Sequence, residues 1–437
     1  MIKLGCAKED ITPGFTVPLA GYFCHGRFSE GIHDRLYARA LAFLPGGHQD
    51  PELLLLQLDM LCLDTVCVER LRKEIGRFGL SGDNLLLCCT HTHSAFGGVL
   101  DTANGINREM VPLNGAYDQR SADFLVGKCL DAAGAALEDA RLEKDPAKIR
   151  MSRGSVKGLA SNRRDPALPH DDDLFLVEFL KTGGKKILLY NLCCHPTTLD
   201  ARNRLVSADF PGAVLPEQEG SGRPGLYDLA VFVNGAAGDI STRFTRKESG
   251  FAECERFGAL VTKAITETAG RGGEFEALEE VRLEYRSVEL KRAEIPDLES
   301  AEQQLASAKK NLEETKKSSA DSRIIRKAES LVEGAEISLL KARCSDRRPA
   351  NETIPVETGL LSLNGQKIFC SPLELFSSLA LPLKRRKNVE FFGYANALLG
   401  YMADREAYAA MDYEALFSEF AEGQGEYYIE RLERFLC

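Results

Sequence analysis

Short apolar runs of strand length alternate with helix-patterned stretches through the first two thirds of this 437-residue chain. The short runs are almost continuously apolar, whereas the longer stretches repeat apolar residues every three or four positions. This alternation predicts an α/β fold in which helices cover largely buried sheets. The predicted strands span residues 53–58, 84–89, 186–194 and 229–233, and the predicted helices span residues 65–78, 121–140 and 252–269.

A stricter alternation at residues 281–290 indicates that the sheets are mixed. The segment VRLEYRSVEL places apolar and polar residues in turn. Because successive side chains of a strand point to opposite faces, this pattern predicts a half-exposed antiparallel strand. We therefore expect an α/β fold with α+β character, in which mixed β-sheets are covered by helices.

Residues 295–344 differ from the rest of the chain and are rich in Ala, Glu, Lys, Ser and Leu. Two apolar series of helical spacing flank the polar break KKSSADS, which predicts an antiparallel helical hairpin. The apolar series are Leu298, Leu305 and Leu312, then Ile324, Ala328 and Leu331. Strand patterns resume at residues 365–370 and 388–394, so the hairpin is expected to interrupt a single main domain formed by residues 1–294 and 345–437. It would serve as a lid or as an arm for a homo-oligomer, or it would be a solvated insertion without a catalytic role.

The formal net charge of −10 argues against nucleic-acid binding, and no Lys/Arg-rich stripe interleaved with aromatic residues offsets it. An acidic surface also suits anionic lipid head groups poorly, so small neutral or cationic partners are expected. No segment reaches the roughly 18 apolar residues that would predict a membrane span. The first residues lack the apolar core of a signal peptide, so we expect a soluble protein that is not exported.

Thirteen cysteines, an odd number, lie mostly inside apolar runs, and no C-x-x-C pair occurs. Free cysteine behaves as a small buried apolar residue, and disulfides are rare in the cytosol. These features favour a cytoplasmic protein. They give no support to a thiolate zinc site or to a thioredoxin-like redox site.

Residues able to bind metal or transfer protons recur just after the apolar runs. Open α/β sheets bind ligands at the carboxyl ends of their strands, so these side chains are expected to converge. The residues are His91, His93, His195, Ser241, Glu374 and Tyr401.

The three histidines are the strongest candidates, because neutral imidazole is the commonest metal ligand in proteins. In an extended segment His91 and His93 would point to the same side, so both would bind one ion or one would bind it and the other transfer protons. A catalytic zinc takes three protein ligands of His and carboxylate type, a rule that two histidines and Glu374 satisfy. Such a metal polarises a carbonyl and lowers the pKa of bound water. The alternative is a set of histidines with structural roles.

Two loops carry weaker candidates. The segment NGAAGDIS, residues 234–241, would allow close backbone approach to a ligand and offer N–H groups to an oxyanion, or it would be a plain tight turn. Ser241 within it would be a nucleophile or a hydrogen-bond donor, and no G-x-S-x-G motif surrounds it. The loop SNRRDP contains Arg163 and Arg164, for which structural ion pairs are the alternative.

Ten motifs together resemble a known family. They occur in the order GCAKEDITP, LAGY, GIHDRLYARAL, LQLD, THTHS, HPTT, SADFPG, NGAAGDIS, PLELF and YANALLGYMADREAY. In this order they are similar to the N-terminal catalytic domain of the neutral/alkaline, non-lysosomal ceramidases. The resemblance spans nearly the whole chain apart from residues 295–344.

The resemblance implies a zinc amidase of sphingolipid metabolism that hydrolyses the N-acyl bond of ceramide to a sphingoid base and a fatty acid. It implies that the scissile carbonyl and a water share the zinc ion, and that a neighbouring histidine protonates the leaving amine. The zinc ligands that it implies are His91, His195, Glu374 and Tyr401. The catalytic residues that it implies are His93 for proton transfer, Ser241 as the essential serine and Arg163 as the active-site arginine.

The chain departs from the family pattern at three points. The family's HSGPGG reads HSAFGG here, which places Ala95 and Phe96 beside the expected metal site. We also expect no export signal and no C-terminal immunoglobulin-like domain. The resemblance predicts hydrolysis of a ceramide-like N-acyl amide, and the departures leave the substrate open. The alternatives are a zinc hydrolase of the same architecture that acts on a smaller polar amide or ester, and a non-enzymatic binding or assembly protein.

Overall fold

The fold is described from a computed structural model over residues 1–24, 26–46, 53–101, 114–215, 225–319, 322–343 and 352–436. The strands, numbered along the chain, are β1 Ile2–Asp10, β2 Gly31–Ile32, β3 Tyr37–Pro45, β4 Leu53–Leu58, β5 Leu85–Cys89, β6 Lys148–Ser155, β7 Ser161–Asn162, β8 Asp173–Leu180, β9 Lys186–Leu192, β10 Leu205–Val206, β11 Leu229–Asn234, β12 Ile240–Ser241, β13 Glu276–Ala277, β14 Val281–Lys291, β15 Thr353–Leu363, β16 Gln366–Cys370, β17 Glu374–Leu375, β18 Glu390–Phe392 and β19 Tyr401–Met402. The α-helices are α1 Thr65–Glu74, α2 Gln119–Leu142, α3 Phe251–Ala269, α4 Leu298–Ser318, α5 Ser322–Arg343, α6 Ser377–Lys387, α7 Arg405–Ala409, α8 Tyr413–Phe417 and α9 Gln424–Arg434. Short 3-10 helices span Ile75–Phe78, Gly82–Asn84, Thr182–Gly184 and Phe210–Ala213.

Three larger sheets form the framework, and each is mixed. Their strand orders are β1-β3-β4-β5, β11-β9-β8-β6-β13 and β14-β15-β16-β18. Each sheet contains one parallel pair, namely β4 with β5, β9 with β11 and β16 with β18, while its other neighbours are antiparallel. The predicted α/β class with mixed sheets is confirmed.

The three sheets enclose one central apolar core, as the alternation along β4 illustrates. Leu53 and Leu55 point into this core, together with residues of the other two sheets such as Val177 and Ile368. Leu54, on the opposite face of β4, packs in a second cluster beneath helices. Since successive strand residues face opposite sides, an unbroken leucine run is what a sheet buried on both faces requires.

Helices cover the outer face of each sheet. Helix α2 lies against β1 and β3, α3 packs on the second sheet, and α6 and α9 pack on the third. The contact between α2 and β1 depends on Gly5, where an added Cβ would lie 1.9 Å from the carbonyl oxygen of Ala136. Helix and sheet therefore approach closely because this strand position has no side chain.

The strands and helices predicted from periodicity are confirmed, and their observed ends lie within two residues of the predicted ends. The helix predicted over residues 65–78 consists of α1 followed by the 3-10 turn Ile75–Phe78. Strand β14 is antiparallel to β15 and half-exposed, as its alternation predicts. The described helices include none long and apolar enough to cross a lipid bilayer.

Helices α4 and α5 form the helical hairpin, a name used below for these two elements. They run antiparallel, since Lys309 pairs with Glu336 and Lys316 pairs with Glu329. Ala301 is buried between them, whereas Ile324 on α5 is 53% exposed. Helix α5 also packs against α8 of the main body. The two helices are thus present as predicted, and part of the apolar face of α5 stays uncovered by α4.

Candidate metal centre

The parallel strand pairs of all three sheets direct their carboxyl ends towards one place. His91 and His93 follow β5 of the first sheet, and His195 follows β9 of the second. Glu374 follows β16 of the third sheet. The three histidines lie together as expected, with their ligand atoms within 4.8 Å of one another.

Glu374 joins the histidines at the centre of this cluster. Its Oε2 lies 2.9 Å from His195 Nε2 and 3.3 Å from His91 Nε2. The rings of His91 and His195 are nearly perpendicular, with centroids 4.8 Å apart. Two imidazole nitrogens and one carboxylate oxygen therefore face the same small volume.

Backbone carbonyls hold both imidazoles by the opposite nitrogen. His91 Nδ1 lies 2.9 Å from the carbonyl oxygen of Leu61, and His195 Nδ1 lies 2.7 Å from that of Ala237. A carbonyl can only accept, so each Nδ1 carries the proton and each Nε2 keeps its lone pair. Metal-binding histidines are commonly oriented by such an outer hydrogen bond.

The chain at His91 adopts a left-handed conformation, with φ of 68°. Residues 91–93 are thus not extended, although the sequence pattern predicted an extended segment with both side chains on one side. The rings still converge, with centroids 4.9 Å apart. Tyr394, itself at φ 55°, stacks its ring on His91 at 4.1 Å. Such strained residues cluster at functional sites, where the surrounding structure fixes them.

Tyr401 is placed beside Glu374 by a two-residue parallel pairing. In this pairing of β17 with β19, Glu374 lies opposite Tyr401, and the Glu374 N–H donates to the carbonyl of Gly400. The Tyr401 ring lies nearly parallel to that of His195, with centroids 6.4 Å apart. All four candidate ligands are therefore buried in one cluster.

His93 differs from the other two histidines because neither ring nitrogen has a hydrogen-bond partner among the described residues, although both are buried. Its ring packs against Gly21, where an added Cβ would lie 2.5 Å from His93 Cγ. Burial, together with the neighbouring His91 and His195, lowers the pKa of His93 well below its usual value. A buried imidazole without a hydrogen bond lowers the stability of the fold, so these nitrogens point to a hydrogen-bonding or metal partner.

The electrostatics of the cluster favour neutral imidazoles at His93 and His195 and a charged carboxylate at Glu374. Burial lowers the pKa of His195 to about 3, and the charge of Arg163 acts in the same direction. Burial alone would raise the pKa of Glu374, but the neighbouring His91 and His195 hold it well below its usual value. Neutral imidazole and carboxylate are the protonation states in which these groups bind a cation.

The segment after β11 orients His195. Its Ala237 carbonyl accepts from His195, while the N–H groups of Gly235 and Gly238 donate to the carbonyls of Leu192 and Leu375. An added Cβ at Gly238 would lie 2.3 Å from the carbonyl oxygen of Glu374. The close backbone approach is therefore made to the chain segment that carries Glu374, whereas the prediction was close approach to a ligand. These two glycine N–H groups are not available to an oxyanion.

Ser241 and Arg163 both lie against the cluster. Ser241 is buried, forms a parallel bridge with His195, and accepts a hydrogen bond at Oγ from the Arg243 N–H. Arg163 pairs with Glu414 at 2.7 Å and lies 5.1 Å from the centre of the Tyr401 ring. Its neighbour Arg164 instead pairs with Asp412.

Several contributing residues were not identified from the sequence. Tyr394 and Glu414 touch His91 and Arg163, and Tyr413 packs 6.0 Å from Tyr401. The only sequence signal for Tyr394 was its place at the end of a predicted strand. Phe96, expected beside the metal site, is fully buried against Phe124 in the core.

The donor set fits a divalent cation. The unpaired Nε2 of His91, the outer hydrogen bonds at Nδ1 and the shared Glu374 oxygen are what a site with histidine and carboxylate ligands requires. The buried three-histidine group is therefore able to bind a metal ion.

Comparison with known proteins places this architecture in a family. The N-terminal part of the neutral/alkaline non-lysosomal ceramidases matches residues 2–315. The chain belongs to this family. Family and fold together support a hydrolase that acts on amide bonds, with a lipid-like substrate.

Two solved structures resemble the whole described fold. A neutral ceramidase from Pseudomonas aeruginosa has a TM-score of 0.75 and 19% sequence identity, over 98% of this chain and 73% of that protein. A ceramidase complexed with C2 has a TM-score of 0.73 and 16% identity, over 98% of this chain and 74% of that protein. At these identities the likeness establishes the fold alone.

Proposed function

We propose that this chain is a zinc-dependent hydrolase that cleaves the amide bond of a ceramide-like N-acyl substrate, releasing an amine and a fatty acid. The observation that carries the proposal is the position of Glu374 Oε2 between the Nε2 atoms of His195 and His91, at 2.9 and 3.3 Å. The remaining proposed ligand is Tyr401, which faces Glu374 across the β17–β19 pairing.

A zinc ion in this site would supply Lewis acidity, polarising the scissile carbonyl and lowering the pKa of water. His91, His195, Glu374 and Tyr401 would hold the ion, and they are already in place without substrate. Backbone carbonyls orient the two histidines, and a backbone pairing places the other two residues. Preorganised donors need no rearrangement during the reaction.

His93 is proposed to move the proton. Its ring lies 4.9 Å from His91 and 5.8 Å from His195, between centroids, and both of its nitrogens are free of partners among the described residues. A neutral His93 takes a proton from the attacking water and returns it to the leaving amine. An amide nitrogen is too basic to leave as an anion, so general-acid help of this kind contributes about 10²–10⁴-fold.

Ser241 and Arg163 are proposed to act on the substrate. Ser241 either donates a hydrogen bond to the substrate or attacks the carbonyl and forms an acyl-enzyme. Trapping of an acylated Ser241 by rapid quench and mass spectrometry would select the second role. Arg163, kept charged by its contacts with Tyr401 and Glu414, stabilises the developing oxyanion or holds the substrate.

One observation favours the alternative substrate class, a smaller and more polar amide or ester. The cavity beside Arg163, about 360 Å³ in volume, is lined mostly by charged side chains. A long sphingoid base would favour an apolar lining. Both substrate classes use the same metal chemistry.

The test is the release of fatty acid from a panel of N-acyl substrates, including ceramides, by the zinc-loaded wild type and His91→Ala in parallel. Metal content is measured on the same samples. We expect turnover of at least one amide by the wild type, and loss of both zinc and turnover in His91→Ala. His33→Ala is the matched control, because His33 lies outside the cluster and stacks on Phe251. A wild type that holds zinc but cleaves no amide or ester would contradict the proposal.

A further inference from the structure

The cavity described above lies directly outside the candidate metal centre. Its walls are the loop after β7, the segment after β12, and helices α5 and α8. Arg163 and Tyr413 belong to its lining and also contact Tyr401, with Arg163 lying 5.1 Å and Tyr413 lying 6.0 Å from the centre of that ring. Tyr401 therefore contacts both the lining of this cavity and, through His195 and Glu374, the candidate metal centre.

The charges that line the cavity do not all cancel. Arg163 pairs with Glu414, Arg164 pairs with Asp412, and Arg326 is held by both oxygens of Glu333. Arg243 forms no ion pair in the part of the chain that the structure describes. Arg243 is half-buried without a carboxylate of its own, and the whole lining holds five cations, including Lys327, against three acids, including Asp165. Positive charge is therefore in excess at the cavity.

Arg243 is fixed between other cations. Its Nη1 donates to the backbone carbonyl of Arg163 at 3.1 Å, and its own N–H donates to Ser241 Oγ. Burial, with the neighbouring charges of Arg326 and Arg163, lowers the pKa of Arg243 to about 10, so it stays protonated near neutral pH. Like charges held together are stabilised by an anion placed between them.

Two further polar atoms in the lining have no partner among the described residues. Arg163 Nη2 and Ser330 Oγ are both buried and make no hydrogen bond there. Ser330 and Arg326 come from α5, so the helical hairpin supplies part of this polar surface. Buried donors of this kind are normally satisfied, so these atoms point to a ligand with acceptor oxygens.

Apolar side chains complete the lining. Phe244, Ile324 and Leu331 face the cavity beside the arginines, which explains why the apolar series of α5 is not fully buried against α4. A ligand that fits this lining carries an anionic group next to an apolar portion.

We propose that this cavity binds the amine part of an N-acyl amino acid, with the carboxylate held by Arg243 and Arg326 and the apolar side chain packed against α5. The inference rests on the proposed amide hydrolysis and names its substrate class. It differs from what the overall charge of −10 predicts, because the local charge at the cavity has the opposite sign.

The test compares N-octanoyl-leucine with N-octanoyl-leucinamide, which have similar shapes but differ by one negative charge. We expect the zinc-loaded wild type to cleave N-octanoyl-leucine with a kcat/KM about tenfold higher than that for N-octanoyl-leucinamide. A tenfold difference is the size expected for one charge-assisted hydrogen bond. In Arg243→Gln this ratio should fall at least about fivefold, mainly through KM. Arg243→Lys should keep most of the preference, because it keeps the charge.

Arg343→Gln is the matched control, since Arg343 is an exposed arginine at the end of α5 and lies outside the cavity lining. Its ratio should equal that of the wild type. A wild-type ratio near one, or a ratio that Arg243→Gln leaves unchanged, would overturn the proposal.

If the zinc-loaded protein cleaves neither compound, the proposed hydrolysis fails for this class and calorimetry decides the binding site separately. Binding of N-octanoyl-leucine at least tenfold tighter than that of the amide, lost in Arg243→Gln, would support the site. Equal binding of the two compounds, or binding of neither, would overturn it.

Discussion

The candidate metal centre and the cavity beside it are neighbours, but they are built in different ways. The metal centre is held by the main chain: carbonyls of Leu61 and Ala237 orient two imidazoles, and a strand pairing places Glu374. The cavity is held by side chains, such as the Arg326–Glu333 pair on one helix. We infer that the first region fixes the chemistry within narrow tolerances, whereas the second can be altered residue by residue and would set the substrate.

The largest effect is expected from His195→Ala. The substitution removes a ligand whose nitrogens contact Glu374 and the Ala237 carbonyl, so zinc content should fall from one per chain to near zero and turnover to background. Metal analysis and fatty-acid release on the same preparation measure both. Dialysis of the wild type against a chelator should give the same loss of turnover and a lower Tm, both restored by zinc. Full turnover in His195→Ala would show that the ligand assignment is wrong.

His93→Gln should have the next largest effect and should separate the two roles left open for this residue. If His93 transfers protons, zinc stays bound while kcat falls by about 10²–10⁴-fold. We expect this outcome, because His91 and His195, but not His93, contact Glu374. Loss of zinc in His93→Gln would instead make the site a three-histidine centre.

Gly238→Ala tests the claim that the main chain positions the metal centre. The added methyl would lie 2.3 Å from the Glu374 carbonyl oxygen, so the backbone carrying this ligand must shift. We expect unfolding free energy to fall by about 1–3 kcal/mol and zinc affinity to fall by about 10–100-fold. Gly127→Ala is the control, because nothing lies within 4 Å of its added methyl on α2. Unchanged zinc affinity in Gly238→Ala would mean that Glu374 does not depend on this contact.

The smallest effect is expected from Glu333→Gln in the cavity region. Glu333 and Arg326 are each about one third exposed, with side-chain exposures of 36% and 37%. Exposed ion pairs contribute about 0–1 kcal/mol, so unfolding free energy measured in urea should change by less than about 1 kcal/mol. Zinc content should not change. A drop in zinc content would show that the cavity and the candidate metal centre are coupled. The inference that the cavity can be altered independently would then be wrong.

The strands and helices of the framework were predictable from the sequence, because a short continuous apolar run marks a strand that is buried on both faces. The run of leucines in β4 and the heptad-spaced leucines of α4 fixed those elements without tertiary information. The convergence of His91, His195 and Glu374 followed from their places after strands. Each of these inferences used a local pattern and one general rule about sheets.

The parts that could not be predicted depend on contacts between distant segments. Glu414 lies about 250 residues after Arg163 in the chain, and no local pattern marks it as a partner. Tyr394 stacks on His91 although the two residues are about 300 positions apart, and both adopt a positive φ that their residue types do not signal. The charge of the cavity likewise depends on which of its arginines has a carboxylate within reach.

Glu374 and Tyr401 are brought together by the pairing of two short strands, so their proximity does not depend directly on the number of residues between them. The 26 residues between them contain α6 and β18, yet Glu374 and Tyr401 lie opposite each other in a direct backbone pairing. We expect insertions or deletions confined to the exposed part of α6 to leave this pairing in place, because they spare β18 and Tyr394. The surroundings of the candidate site could then diverge while Glu374 and Tyr401 stay side by side.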